Sequence, residues 1–204
     1  MREFAHSFAI YFLEVYKVTG RELYDSLESC PIIATVNDTM FESAIDSPPE
    51  IIFLLGANLL TVKSRIKAAH EAGKYILIHI DLAEGIGKDK TGVEYLAHCG
   101  ADGIVSTRTA LIRFAKEYSL ATVQRFFAYD THGIESINEI LSVSSPDVIE
   151  IMPGIIMPKV IERFSHGTIP LIAGGLIDTK ADVTGALNSG AFAVSTGKQE
   201  LWYI

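Results

Sequence analysis

The chain is poor in cysteine and in positive charge, and it has no long apolar run. Two cysteines, Cys30 and Cys99, occur in 204 residues. Two isolated thiols without metal-ligand spacing exclude a disulfide framework and a zinc cluster, and a reduced, cytoplasmic setting is expected. Lys and Arg number 17 against 25 Asp and Glu, a net charge of −8. That balance argues against wholesale coating of nucleic acid, which draws on a broadly basic surface, but it leaves room for a local basic patch. The apolar stretch at residues 8–18 is broken by Glu14 and Lys17. It is too short to span a bilayer and lacks a signal-peptide cleavage region, so an amphipathic helix and no membrane partner are expected. No low-complexity tract or interdomain linker interrupts the chain.

What is present is a core and a repeat. Hydrophobic residues make up 49% of the chain and charged residues 21%. At this length that suffices for one well-buried domain. Apolar, β-branched runs recur at residues 31–37, 50–56, 75–81, 103–107, 121–128, 147–153, 170–175 and 191–196. Several are almost continuously apolar, as in parallel strands covered on both faces. Helical spacing separates them: Leu59, Val62, Ile66 and Ala69; Ile134, Ile137 and Leu141; Val183, Ala186 and Leu187. Thr179 and Asp182 resemble a capping box opening a helix over residues 179–189, and Gly73, Gly100 and Gly190 end helical patterns just before strands. Eight uniform βα units predict an α/β fold, a single-domain (β/α)8 TIM-like barrel over residues 23–204, preceded by an extension at residues 1–22 that is helical or mobile. An open doubly wound sheet is the alternative.

Chemistry in such a barrel gathers at the C-terminal ends of the strands. The last two ends carry Pro170-Leu-Ile-Ala-Gly-Gly-Leu176 and Ala191-Phe-Ala-Val-Ser-Thr-Gly197. Small residues there let an anion approach backbone N–H groups, so Gly174, Gly175, Ser195 and Thr196, with Gly154 one unit earlier, predict a phosphate cup. Glu150 stands in the middle of an apolar strand, which is costly unless it is paired. Gln124 and Arg125 on the preceding strand are its candidate partners, and Glu150 either takes ligand hydroxyls as well or forms a purely structural buried pair. The period of two puts His79 and Asp81 on one face, either pointing into the pocket or forming a satisfied histidine beneath a capping aspartate. Arg108 ends the fourth strand, where it either reaches a phosphate in support of the pocket or sits at the solvated start of a helix, and Gly85 and Gly87 with Lys88 and Lys90 mark a loop after the third. No predicted strand contains a lysine for a Schiff base, only one strand end carries a histidine, and neither a Gly-x-Ser-x-Gly elbow nor a P-loop occurs.

The run His79-Ile-Asp-Leu-Ala-Glu-Gly-Ile-Gly-Lys-Asp-Lys-Thr-Gly-Val-Glu-Tyr-Leu96 resembles the glycerol-3-phosphate-responsive antiterminators, regulators of glycerol uptake operons. So do Gly100-Ala-Asp-Gly-Ile-Val-Ser-Thr-Arg108, Gln124-Arg-Phe-Phe127, Ile149-Glu-Ile-Met-Pro-Gly154, Ile172-Ala-Gly-Gly-Leu176, Ala193-Val-Ser-Thr196 and Glu200-Leu-Trp202. The resemblance runs from about Leu23 to Trp202 and leaves the first twenty or so residues outside. It implies a non-catalytic regulator that binds glycerol 3-phosphate as effector, needs no cofactor, and acts on leader mRNA. By position it assigns Asp81 and Glu150 to the glycerol end and Gly154, Gly174, Gly175 and Thr196 to the phosphate. Lys88, Lys90, Arg108 and Lys198 are candidate RNA contacts. Assembly into a homo-oligomer stays open, and the alternative function is a barrel enzyme acting on a glycerol- or triose-phosphate.

Overall fold

The computed structural model describes residues 20–162 and 169–204. The apolar stretch at residues 8–18 lies outside them. Eight parallel strands close into a barrel: β1 (Ile32–Val36), β2 (Ile51–Leu54), β3 (Tyr75–His79), β4 (Gly103–Ser106), β5 (Ala121–Phe127), β6 (Val148–Met152), β7 (Leu171–Gly174) and β8 (Ala193–Thr196). Each pairs with the next, and β8 returns to β1 through Ile33 opposite Ser195. All eight lie inside the predicted runs, and the open-sheet alternative is excluded by the closure.

Period-two alternation divides the apolar residues between two cores. Ile33, Phe53, Leu77, Val105, Val123, Val148 and Ile172 fill the barrel interior, all at most 1% exposed. Ile52, Ile76, Ile104 and Ile149 face outward onto the helices. These are α2 (Phe41–Ile45), α3 (Val62–Glu71), α4 (Lys90–Cys99), α5 (Thr109–Glu117), α6 (Thr131–Ser144), α7 (Met157–Ile161) and α8 (Lys180–Asn188). A further helix, α1 (Gly20–Ser29), precedes the first strand and sends Leu23 and Leu27 into the interior core, both fully buried.

The local signals act as their chemistry requires. Thr179 and Asp182 form a reciprocal capping box at the start of α8. The Thr179 hydroxyl and the backbone N–H groups of Asp178 and Thr179 hold the Asp182 carboxyl below its usual range. Gly100 ends α4 at φ 92°, a left-handed cap that a side chain would strain, and Gly73 and Gly190 also have positive φ. One expectation fails locally. Leu59 lies in the loop before α3, 39% exposed, because its N–H bonds Glu84 O and ties the loop after β2 to the loop after β3. Among the described residues no helix is long and apolar enough to cross a membrane.

Candidate functional site

The interior of β6 carries the costliest residue of the fold. Glu150 is 0% exposed. It survives there because the register sets Arg125 of β5 directly beside it. Arg125 Nε donates to Glu150 Oε2 at 2.5 Å, and Ser195 Oγ of β8 donates to Oε1 at 2.5 Å. A Cβ on Gly174 would stand 2.5 Å from Glu150 Oε1 and 2.7 Å from Ser195 Oγ. Gly174 therefore makes room for the bridge between β6 and β8. Gln124 does not join it. As the strand neighbour of Arg125 it faces the helices, donating to Thr109 Oγ1 at 3.4 Å.

Above this bridge lies a cavity of about 350 Å³, bordered by Thr35, Leu55, Arg125, Glu150, Met152, Gly175, Leu176, Ile177, Asp178, Ser195, Thr196, Gly197 and Lys198. Its wall is the pair of loops after β7 and β8. Thr196 Oγ1 ties them together, donating to Ile177 O at 3.0 Å and accepting from Lys198 N at 3.1 Å. Gly175 and Leu176 are both left-handed, φ 72° and 55°. Among the described residues no acceptor takes up the backbone N–H of Leu176, Ile177 or Gly197. At the rim Lys198 Nζ stands 3.4 Å from Asp178 Oδ1, each side chain about half exposed. On the floor, Glu150 is the only hydrogen-bond partner of the Arg125 guanidinium among the described residues. Its guanidinium, 7% exposed, borders the space. The cavity is thus bordered by residues with unpartnered backbone N–H groups, by a half-exposed ammonium and by a buried guanidinium–carboxylate pair. Such a space accommodates a small molecule with one anionic and one polar end.

The other expected site residues make contacts of their own. Gly154 donates its N–H to Gly175 O at 2.9 Å, and a Cβ there would press at 3.0 Å on the backbone of Ala173 and Gly174. It packs the loop after β6 against β7 and does not border the cavity. Asp81 accepts from Ser106 Oγ, from Thr107 N at 2.7 Å and from Thr107 Oγ1, with Arg108 Nε 3.5 Å away. It fastens the turn after β4 and is not among the residues bordering the cavity. His79 does face the interior, 3% exposed, with Nδ1 unpartnered. Burial, helped by the nearby Arg125 charge, pushes its pKa down to about 4.

The candidate cations are engaged too. Lys88 Nζ donates to Ala83 O and to Ile86 O. Lys90 meets Glu117 at 2.5 Å, Arg108 faces Asp81 and Lys198 faces Asp178. Sequence reasoning missed Thr35, Leu55, Ile177 and Asp178, which border the cavity from strand ends and loops without a distinguishing motif.

The protein resembles known ones over most of its length. It is 36% identical over 182 residues to YgcP of Escherichia coli, covering 86% of this chain and 93% of that protein. A glycerol uptake operon antiterminator regulatory protein from Listeria monocytogenes matches with a TM-score of 0.80 and 32% identity, over 85% of this chain and 95% of that one. A glycerol uptake operon antiterminator-related protein from Thermotoga maritima matches with a TM-score of 0.76 and 29% identity, over 84% and 96%. The family model described as glycerol-3-phosphate responsive antiterminator matches residues 32–202. That span takes in all eight strands, the buried bridge and both loops of the cavity wall, and the chain belongs to this family.

Proposed function

We propose that the protein binds glycerol 3-phosphate in the cavity and, so loaded, engages a leader mRNA to carry transcription past a terminator. The observation that carries the ligand half is the pairing of unpartnered N–H groups at Leu176, Ile177 and Gly197 with the Arg125–Glu150 floor. In this reading the phosphate sits on the wall between Gly175 and Lys198, where it competes with Asp178 for the ammonium. The glycerol hydroxyls reach the floor made by Arg125, Glu150 and Ser195. Gly174 leaves room for the Glu150–Ser195 bridge beneath the space, and Thr196 ties the two loops of its wall together. Family membership supports the RNA half. Arg108, just past β4, and Lys198, just past β8, have side chains about half exposed, so a polyanion can reach both cations.

The test is thermal denaturation with glycerol 3-phosphate, glycerol and inorganic phosphate, followed by RNA retention at low and high salt. Effector at a hundred times its dissociation constant stabilises by about 2.7 kcal/mol, a rise in melting temperature of roughly 5–10 °C at this size. Glycerol alone gives little. Gly175→Val weakens the shift, because φ 72° strains any side chain there and the added groups must displace the end of Met152. Leader RNA is retained with effector and released as salt rises. Equal shifts from glycerol and its phosphate refute the site. Retention indifferent to effector refutes the coupling.

A further inference from the structure

The cavity holds charge in two places, and both are balanced from within. At the rim, Lys198 and Asp178 are about half exposed and 3.4 Å apart. Water and salt screen them, so the ammonium is free to turn toward an arriving anion. The floor is different. Arg125 and Glu150 are 7% and 0% exposed at their side chains, and 2.5 Å separates Nε from Oε2. Both carboxylate oxygens are already engaged, one by Arg125 and one by Ser195. Glu150 therefore cancels the charge of Arg125 in a place that water hardly reaches.

We propose, resting on the ligand reading above, that Glu150 determines specificity. It makes the floor neutral overall, fit for the hydroxyl end of a phosphorylated polyol, and it excludes a ligand with a carboxylate at that end. A hydroxyl both donates and accepts, so it meets guanidinium N–H groups and carboxylate lone pairs together. A carboxylate only accepts, and it brings a second negative charge against Glu150 at low local screening. Without Glu150, an unbalanced Arg125 would take a carboxylate in the two-pronged geometry that guanidinium favours. The residue that sequence logic casts as a hydroxyl acceptor thus also acts as a filter on ligand charge.

The discriminating pair is glycerol 3-phosphate and 3-phosphoglycerate. They share the carbon chain, the phosphate and the middle hydroxyl, and differ in whether the far carbon is a hydroxymethyl or a carboxylate. Calorimetric titration of the whole chain is expected to favour the polyol at least tenfold, or about 1.4 kcal/mol. Glu150→Gln keeps the side-chain shape and an acceptor for Ser195 while removing the charge, and it is expected to narrow or reverse the ratio. Ser195→Ala keeps both charges and is expected to retain the preference whatever happens to overall affinity. Equal wild-type affinity for the two compounds overturns the inference even if Glu150→Gln does not fold. So does a folded Glu150→Gln protein with the wild-type ratio. Binding of neither compound to the wild type overturns the ligand reading itself, a result distinct from binding without discrimination.

Discussion

An unpartnered ring nitrogen sits inside the barrel at His79. Protonating this imidazole means charging a group that is 3% exposed and already close to Arg125, and its pKa falls to about 4. The unfolded chain releases that proton near pH 6.5. Between those values the unfolded state binds more protons than the folded one, so stability falls as pH drops from about 6.5 to 4. The loss at pH 4 is expected to approach about 3 kcal/mol. Urea denaturation at several pH values checks it, with His79→Gln expected to flatten this part of the profile. An unchanged slope in that variant would assign the acid sensitivity to other groups. At this scale the sequence was partly legible. A carboxylate amid Val148, Ile149, Ile151 and Met152 announces that it needs a partner, and Arg125 was within the candidate set. Choosing between Arg125 and Gln124 requires the register, since one residue of slip exchanges the two faces. Asp81 was legible as a polar strand end, but its engagement by Thr107 depends on the path of a loop that no pattern specifies.

At the scale of the element, the agreement is closest where one physical signal dominates. Strands buried on both faces write themselves as short apolar runs, and all eight fall within their expected bounds. The capping box is as plain in sequence as in structure, because its chemistry is local. Thr179→Ala removes the Thr179 bond to the Asp182 N–H and one of the bonds on the Asp182 carboxylate. The expected cost is about 0.5–2 kcal/mol, measurable by urea denaturation. The same helix follows the loop that walls the cavity, so effector affinity is expected to fall with it. Unchanged affinity would show that the loop is held by Thr196 alone. Loops were less legible. Leu176 adopts φ 55° and is 64% exposed, a conformation and an exposure that a leucine's chemistry does not announce. The β8 contact on this loop, Thr196 Oγ1 donating to Ile177 O, comes some twenty residues later in the chain.

At the scale of the molecule, a barrel has two ends with different duties. Catalytic and binding residues gather at the C-terminal ends of the strands, while the opposite end serves stability. Here the division is visible in α1. Leu23 and Leu27 are fully buried against interior residues of the barrel, Ile33, Ile51 and Leu77 among the same core. An element that precedes the first strand thus supplies side chains to the centre of the fold. It also lies before the residues at which the family match begins, 32. The repeat in the sequence gives no hint of this, because α1 belongs to no βα unit and its amphipathic spacing is that of any surface helix. Leu27→Ala is expected to cost about 2–5 kcal/mol, the range for a large buried aliphatic cut to a methyl group where neighbours relax only in part. A surface helix lying loosely across the barrel would instead lose under about 0.5 kcal/mol. Denaturant unfolding separates the two. Because the cavity borders the loops after β7 and β8, the melting shift produced by glycerol 3-phosphate is expected to survive this substitution. A variant that loses stability and the shift together would mean that the interior core transmits strain from one end of the barrel to the other, and that binding and closure of the barrel are one cooperative event.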